Sequence, residues 1–490
     1  MLGLEYLIYH ERDLTKINKY LSNHPKILKN KNADGNNILM NLIKLYISLD
    51  ENATDELEYL YNVIIQINTK FYRTIKKDID TYLNIIRDSE IPLKPHITKL
   101  INLLNGNYYV TLEELEKKYN VSFNFSDDII NEVYSFYMRS PKRYNFTDQQ
   151  VITIDSEHAK CIDDALYLEK NINGTYILYI HITDIPTFIP YDSQVFNSAK
   201  IREETLYLDD RNIHMYPEYI SENLCSLNTD NKKNVITLVV PVDSDFNIIE
   251  DKMNIVKGKI KVKKKLNYKE ADKLIFNPNS SIISKMLVNL YRISLKRKET
   301  NKNKELYREY ENIITNKNHH ASMKTNVSAS ANIVHEMMTL INYLIANYFK
   351  ENSYPFIYRE VFLPNPKELK RQIKTYKKLI GNKVAVDKFL NKIKESYQEA
   401  QYIDKPTYHN GVDFPCYSHV SSPARRFADS FCEYLIYEFI FNRNINDRNI
   451  YLWQNRIQEL IPYLNERKHT NEIFIKQYNY LAQKRLIRKK

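Results

Sequence analysis

Three aspartates, Asp155, Asp163 and Asp164, crowd into the stretch Val151–Lys170, which reads VITIDSEHAKCIDDALYLEK. Hard carboxylate oxygens gathered this closely suit Mg²⁺, which is bound by one or two carboxylates together with substrate phosphates. Asp163 and Asp164 are chain neighbours, so their side chains point in different directions. One can hold a metal while the other holds a second metal or orients a water. A solvated acidic loop is the competing reading of the same residues.

Such acids need a junction to hold them. Val151-Ile152-Thr153-Ile154 ends in Asp155, and Ala165-Leu166-Tyr167-Leu168 follows Asp164; both runs are made of strand formers. The spacing places the carboxylates where one strand stops and the next begins. Asn173-Gly174 separates Leu166–Lys170 from Thr175–Ile182, a hairpin signal, and Asn234–Val240 predicts a third strand. Lys257, Lys259, Lys261 and Lys263 alternate with Gly258, Ile260 and Val262, as on a strand with one basic face. That face would follow a phosphate backbone or simply be solvated. Helical periodicity takes over in Ile333–Phe349, Phe427–Phe441 and Asn455–Leu464. The sum predicts an α+β domain with a mixed sheet and helices packed against it.

Residues 1 to about 120 read as helices. Asp55–Ile65 and His96–Leu104 carry apolar residues at three- and four-residue spacing, and Thr111-Leu112-Glu113-Glu114 has the spacing of a capping box. Asn32–Met40 has the look of an ankyrin-repeat turn, but no second copy follows. This region carries no catalytic signature.

A chain of 490 residues has room for two or three domains. No apolar run reaches the roughly 18 residues of a membrane span. The start, MLGLEYLIYHERD, lacks a basic region followed by a long apolar core, so neither a membrane nor a secreted protein is expected. Cys161, Cys225, Cys416 and Cys432 form no C-x-x-C pair. That argues against a disulfide framework or a zinc site and for a reducing, cytoplasmic setting. Cys225 and Met215 read as core residues. A net charge of +11 fits a polyanionic partner. Forty Tyr against seven Gly, with heavy Lys, Asn and Ile usage, looks like AT-rich coding, so lysine or tyrosine abundance alone carries no function.

Thr153-Ile154-Asp155, Ala159-Lys160 and Ile162-Asp163-Asp164-Ala165-Leu166 resemble the signature of the RNB catalytic domain. That domain defines the 3′-to-5′ exoribonucleases of the ribonuclease II, ribonuclease R and exosome-nuclease group. Further blocks are similar and come in family order: Arg143–Thr147, Ile180–Asp184, Met215–Pro217, Ile220–Leu227, Val334–Met338 with Asn342, and Tyr417–Asp429. The resemblance implies a divalent-metal-dependent exoribonuclease that trims single-stranded RNA from its 3′ end and releases nucleoside 5′-monophosphates. It implies that Asp155 and Asp164 hold Mg²⁺ against the scissile phosphate, while Asp163 helps to place a metal and activates the attacking water. Arg425 would clamp the phosphate and stabilise its developing charge. Glu336 would contact the ribose hydroxyl, and Tyr207 and Tyr268 would stack or clamp the terminal nucleotides.

The chain departs from the family pattern in places. Cys161 replaces the second of four aspartates, and a soft thiol is a poor ligand for Mg²⁺. Weaker metal affinity, or a preference for Mn²⁺, is expected. His335 replaces the first Glu of a helical pair, Glu203 a glycine, and Ala424 an isoleucine. These changes keep open a rival reading, an RNB fold that has lost turnover and binds RNA as a regulator. The flanks show no recognisable cold-shock or S1 OB domains. The expected layout is a helical domain at 1–122, the RNB-like domain at 123–470 and a basic C-terminal helix or tail at 471–490. The N-terminal helices are the candidate contact for a protein partner. Without OB platforms, RNA affinity is expected to be weak and steeply salt-dependent, with distributive behaviour.

Overall fold

The computed structural model describes residues 4, 6–24, 27–28, 37–49, 53–75, 100–101, 112–136, 142–300, 306–307, 309–310, 313, 328–361, 364, 366–394 and 400–483. Two compact units divide the chain: Met1–Lys118 with Asn479–Lys490, and Tyr119–Tyr478.

The first unit is helical, as its periodicity predicts. Its helices are α1 (Leu14–Asn23), α2 (Ile38–Ser48) and α3 (Thr54–Ile75), with α4 (Leu112–Tyr119) reaching the unit boundary. The Asp13 carboxylate accepts the Thr15 and Lys16 N–H groups and so starts α1, and Asn37 caps α2 in the same way. Leu21, Leu39, Leu42, Ile43, Leu60 and Ile64 belong to a core that this unit keeps to itself. Residues 32–36 of the ankyrin-like stretch and Thr111 of the capping box lie outside the described residues, as does 96–104 apart from 100–101.

The second unit is built on strands β1 (Tyr144–Asn145), β2 (Ile152–Asp155), β3 (Asp164–Lys170) and β4 (Tyr176–Thr183), then a small pair β5 (Leu206–Tyr207) and β6 (Asn212–Ile213), then β7 (Lys233–Val242), β8 (Asn254–Ile260) and β9 (Lys264–Asn267), with a second small pair β10 (Tyr358–Glu360) and β11 (Gln401–Ile403). Its helices are α5 (Asp127–Ser135), α6 (Gln194–Arg202), α7 (Tyr268–Phe276), α8 (Ile282–Thr300), α9 (Ala329–Glu351), α10 (Pro366–Leu379), α11 (Lys383–Lys394), α12 (Phe427–Ile436) and α13 (Asp447–Gln483).

The main sheet has seven strands in the order β1-β8-β7-β4-β3-β2-β9. Its centre is antiparallel, and β1–β8 and β2–β9 pair in parallel, so the sheet is mixed as expected. The β3–β4 hairpin turns through Asn173-Gly174, with Gly174 at φ +82°, where a glycine meets no Cβ penalty. Ile154, Leu166, Ile180 and Leu238 on one face share a core with Ile333, Leu340 and Phe427 of the helices. The opposite face has its own cluster, including Ala165, Leu227, Val235 and Val262, against which Phe146 packs. Gly258 is required there, because a Cβ would stand 2.7 Å from Thr237 Oγ1 and 2.9 Å from the Phe146 ring.

The basic strand face is shorter than the alternation suggests. Strand β8 stops at Ile260, and the chain then crosses to the other edge of the sheet, with Val262 buried and the Lys263 N–H on the Val151 carbonyl at 2.8 Å. Lys257 lies over the Tyr437 and Phe441 rings rather than in a row of free cations. The helices predicted over Ile333–Phe349, Phe427–Phe441 and Asn455–Leu464 form. Phe427–Phe441 starts as α12 and widens into a π-helical turn over Tyr437–Phe441. Helix α13 runs unbroken past residue 470, so residues 471–483 continue it, and 484–490, with their basic cluster, lie outside the described residues.

Candidate active site

The strand junction forms as the spacing predicts: Asp155 is the last residue of β2 and Asp164 the first of β3. The loop between them is tied down at its far end. The Ile162 N–H donates to Ser226 Oγ at 3.2 Å, the Ser226 hydroxyl donates to the Lys160 carbonyl at 2.6 Å, and the Leu227 N–H donates to the Ile162 carbonyl at 2.9 Å. A second tie comes from the edge strand. Lys265, beside Thr153 in the β2–β9 pairing, donates Nζ to the Ala159 carbonyl at 2.5 Å.

A distant segment closes the site. Asp163 Oδ1 accepts the Ala424 N–H at 2.8 Å, and its Oδ2 lies 3.3 Å from Arg425 Nε. The Arg425 Nη2 also donates to Ser422 Oγ at 2.8 Å. The loop behind is held by Asp429, whose Oδ2 accepts from the Ser422 N–H and from Arg426 Nη2 at 2.8 and 2.7 Å. Asn342 of α9 receives the Val420 N–H at 2.9 Å. The Tyr417–Asp429 block is thus wrapped around fixed acceptors, which aim one guanidinium at the aspartates.

Burial sets the electrostatics. It pushes the Asp155 carboxyl up to about 6, with Lys265 and Arg425 pulling it down and Asp163 adding to the rise. Asp164 is raised well above the usual carboxylate range by burial and then by the charges of Asp155 and Asp163. Asp163 is raised by burial against the pull of Arg425 and the Ala424 N–H. Burial and the Asp163 charge push the Cys161 thiol up, which keeps it protonated.

These residues fit a divalent cation. Asp155 Oδ2 is buried with no hydrogen-bond partner, and Asp155 is the leading charge raising Asp164. Two such carboxylates plus a substrate phosphate match the ligands Mg²⁺ takes. Among the described residues no group of three His, Cys, Asp or Glu gathers around one point. Asp163 turns both oxygens to Ala424 and Arg425, and Cys161 offers only a thiol.

The other expected site residues are placed unequally. Tyr207 is 53% exposed and lies within reach of the charges of Arg425 and Asp163. Tyr268 opens α7 next to Asp155 and Asp164, whose charges add to burial in raising its phenol. Glu336 is buried on α9 and lies 3.6 Å from Arg297 Nε, paired with that cation rather than with the aspartates. Met215 and Cys225 are fully buried, as core residues are. The block resembling the family lead-in, with Arg143, meets the block with Asp184 in a buried ion pair of 2.7 Å. Lys265, Ser226 and Asn342's acceptor role are contributions that spacing does not reveal. Lys265 continues the two-residue lysine alternation, and that is its only signal in the sequence.

A family model described as RNB domain matches residues 143–442. Among curated proteins, the chain is 26% identical to ribonuclease R of Mycoplasmopsis pulmonis over 89% of its own length and 63% of that protein. It is 27% identical to ribonuclease R of Aquifex aeolicus over 70% of its length and 54% of that protein. The chain therefore spans about half to under two-thirds of these relatives. Among solved structures, it resembles Mycoplasma genitalium RNase R in complex with ribose-methylated single-stranded RNA, at TM-score 0.63 and 17% identity over 78% of this chain and 64% of that one. It also resembles yeast Ssd1, a pseudonuclease, at TM-score 0.59 and 17% identity over 76% of this chain and 50% of that one. Identities this low carry the fold alone.

Proposed function

The chain belongs to the RNB-domain family, and on that premise we propose that it is a divalent-metal-dependent exoribonuclease that hydrolyses single-stranded RNA from the 3′ end to nucleoside 5′-monophosphates. The observation that carries this reading is the convergence of Asp163, the Ala424 N–H and Arg425 beside two buried carboxylates, Asp155 and Asp164. Asp155 and Asp164 would hold Mg²⁺, which supplies Lewis-acid activation of a water and of the phosphate. Asp163 orients Arg425. The guanidinium fork binds a phosphate oxygen and stabilises the charge that grows there during attack. Tyr207, exposed beside Arg425, would offer a ring to a terminal base, and Tyr268 stands beside the acids where the last nucleotide would lie. Among the described residues no helix is long and apolar enough to cross a membrane, and a cytoplasmic setting is part of the proposal.

Cys161 favours a second reading, in which the fold binds RNA without turnover, because a protonated thiol replaces a carboxylate. One experiment separates the two. A denaturing gel of 5′-labelled RNA, with DNA alongside, is run in Mg²⁺ and in Mn²⁺ with Asp163→Asn as control. RNA-only shortening from the 3′ end, absent in the variant, establishes the exonuclease. Intact RNA under every condition, together with a gel shift, establishes the binding protein.

A further inference from the structure

Helix α10 carries Lys367, Lys370, Arg371, Lys374, Lys377 and Lys378, all exposed, against one carboxylate, Glu368. Its other side is apolar: Leu369, Ile373 and Tyr376 share a small core with Val386, Leu390 and Ile393 of α11, separate from the core under the main sheet. The hairpin of α10 and α11, residues 366–394, has ten lysines and arginines and two acids, so it holds +8 of the chain's +11. A coding bias towards lysine acts along the whole chain and does not gather the surplus in one hairpin. Lys370, Lys374 and Lys378 stand four residues apart, so they line one face at steps of about 6 Å along the axis. Glu368 is taken by Arg371, whose Nε and Nη2 donate to its two oxygens at 2.9 and 2.7 Å, and Lys377 pairs with Glu309 at 2.7 Å. Among the described residues, Lys370, Lys374 and Lys378 pair with no carboxylate. Like charges at this spacing repel from turn to turn, and Lys367 in the first turn opposes the helix dipole. The stripe therefore destabilises its own helix, and a polyanion laid along it would offset that. The root of the hairpin is fixed. Strands β10 and β11 flank it and pair with each other, the Arg359 N–H donates to the Tyr417 carbonyl at 2.8 Å, and Asn410 Nδ2 donates to the Val361 carbonyl at 3.3 Å. Tyr417 begins the block that carries Arg425. The cations that act most on the three aspartates are Lys265, Arg425 and Arg426, none of them on α10.

We propose that the lysine stripe of α10 binds backbone phosphates of single-stranded RNA upstream of the 3′ end held at the aspartates. This rests on the reading of RNA as the substrate. Ammonium groups on flexible stems are point charges, and phosphate contacts position a strand without reading its bases, which suits a substrate of any sequence. The rooting of the hairpin against Tyr417 joins the stripe to the block of Arg425. Its separation from the aspartates assigns it to phosphates other than the scissile one.

The test compares the full-length parent with the stripe variant Lys370→Gln/Lys374→Gln/Lys378→Gln. A control, Lys19→Gln/Lys117→Gln/Lys476→Gln, removes three exposed lysines elsewhere. Binding of a fluorescent single-stranded RNA is measured in EDTA over a salt series, with thermal unfolding, kcat and KM alongside. The stripe variant should bind about tenfold more weakly at low salt. Its plot of log affinity against log salt should be shallower by about 2, at about 0.7 per lost phosphate contact. KM should rise while kcat stays near the parent's, because contacts away from the reacting bond are made equally before and during attack. The unfolding temperature should stay the same or rise, since repulsion along the helix is relieved. The control should match the parent in affinity and slope. A parental slope in the stripe variant, or an equal loss in the control, would overturn the proposal and leave α10 to an acidic protein surface or to solvent. A loss of binding that tracks a lowered unfolding temperature would overturn it as well. A parent that binds RNA without turnover refutes the exonuclease reading, while a shallower slope in the stripe variant still supports this contact; a parent that binds no RNA refutes both.

Discussion

Asp163 divides its two oxygens between the Ala424 N–H at 2.8 Å and Arg425 Nε at 3.3 Å. One carboxylate therefore fixes both the backbone one residue ahead of Arg425 and the Arg425 side chain, the proposed clamp for the substrate phosphate. Asp163→Asn keeps an acceptor for the N–H but loses the charge opposite the guanidinium. We expect kcat to fall on the order of 10²–10³-fold, the usual cost of removing a preorganised electrostatic contact. RNA affinity should change only a few-fold. Single-turnover kinetics on labelled RNA, beside a binding isotherm, measure both.

Cys161 stands where a fourth carboxylate would complete the acidic loop, and its buried thiol stays protonated. Cys161→Asp adds a hard oxygen ligand and is expected to tighten Mg²⁺ binding by about tenfold, since ligand charge tunes affinity at such sites. Cys161→Ala should leave it nearly unchanged. Titration calorimetry with Mg²⁺ and Mn²⁺ separates the outcomes. Equal affinity in all three proteins would show that residue 161 does not reach the metal.

The Asp155 carboxyl is pushed up to about 6 mainly by burial, so stability, and with it the proposed metal binding, is expected to depend on pH. A folded-state value above the ordinary value of about 4 means that the folded protein binds more protons than the unfolded one. In the metal-free protein this group therefore costs stability progressively as pH rises from about 4 to about 6. A cation on the carboxylate competes with the proton and reverses that cost. The Mg²⁺-induced rise in Tm should be full at pH 8, shrink through pH 6 and vanish near pH 5. In Asp155→Asn it should be small at every pH, which differential scanning calorimetry resolves.

Arg143 and Asp184 pair at 2.7 Å with side chains 3% and 0% exposed, and Tyr437 donates its hydroxyl to Asp184 at 2.7 Å. Removing one partner leaves an uncompensated buried charge. Asp184→Ala is expected to cost about 3–5 kcal/mol in urea unfolding, and a loss below about 1 kcal/mol, within the range of exposed pairs, would contradict the assigned burial.

Tyr207 projects from β5, 53% exposed, beside Arg425. Loss of a stacking ring costs about 1–3 kcal/mol per base, so Tyr207→Ala should raise Kd for single-stranded RNA by roughly tenfold while leaving Tm within about a degree. Unchanged affinity would assign Tyr207 to the surface alone.

Much of the site could be read from local pattern. Strand formers bracketing Asp155 and Asp164 predicted a strand junction, and Asn173-Gly174 predicted the hairpin, because short-range sterics and period-two burial act over neighbouring residues. The same logic misjudged Lys257–Lys263. Alternation continues past Ile260 where the backbone leaves the sheet, and no local signal says that Val262 and the Lys263 N–H belong to another strand's pairing.

The sequence by itself determined which side chains could do chemistry: three acids at one junction, one arginine in a later block, and a thiol where a carboxylate would serve. Only the tertiary structure decided how they are shared out. Asp163 meets Ala424 and Arg425 through contacts between segments far apart in the chain. Lys265 reaches the acidic loop because β9 pairs in parallel with β2 at the sheet edge. Each depends on burial and strand pairing between distant residues, and neither is written in the spacing of any one stretch.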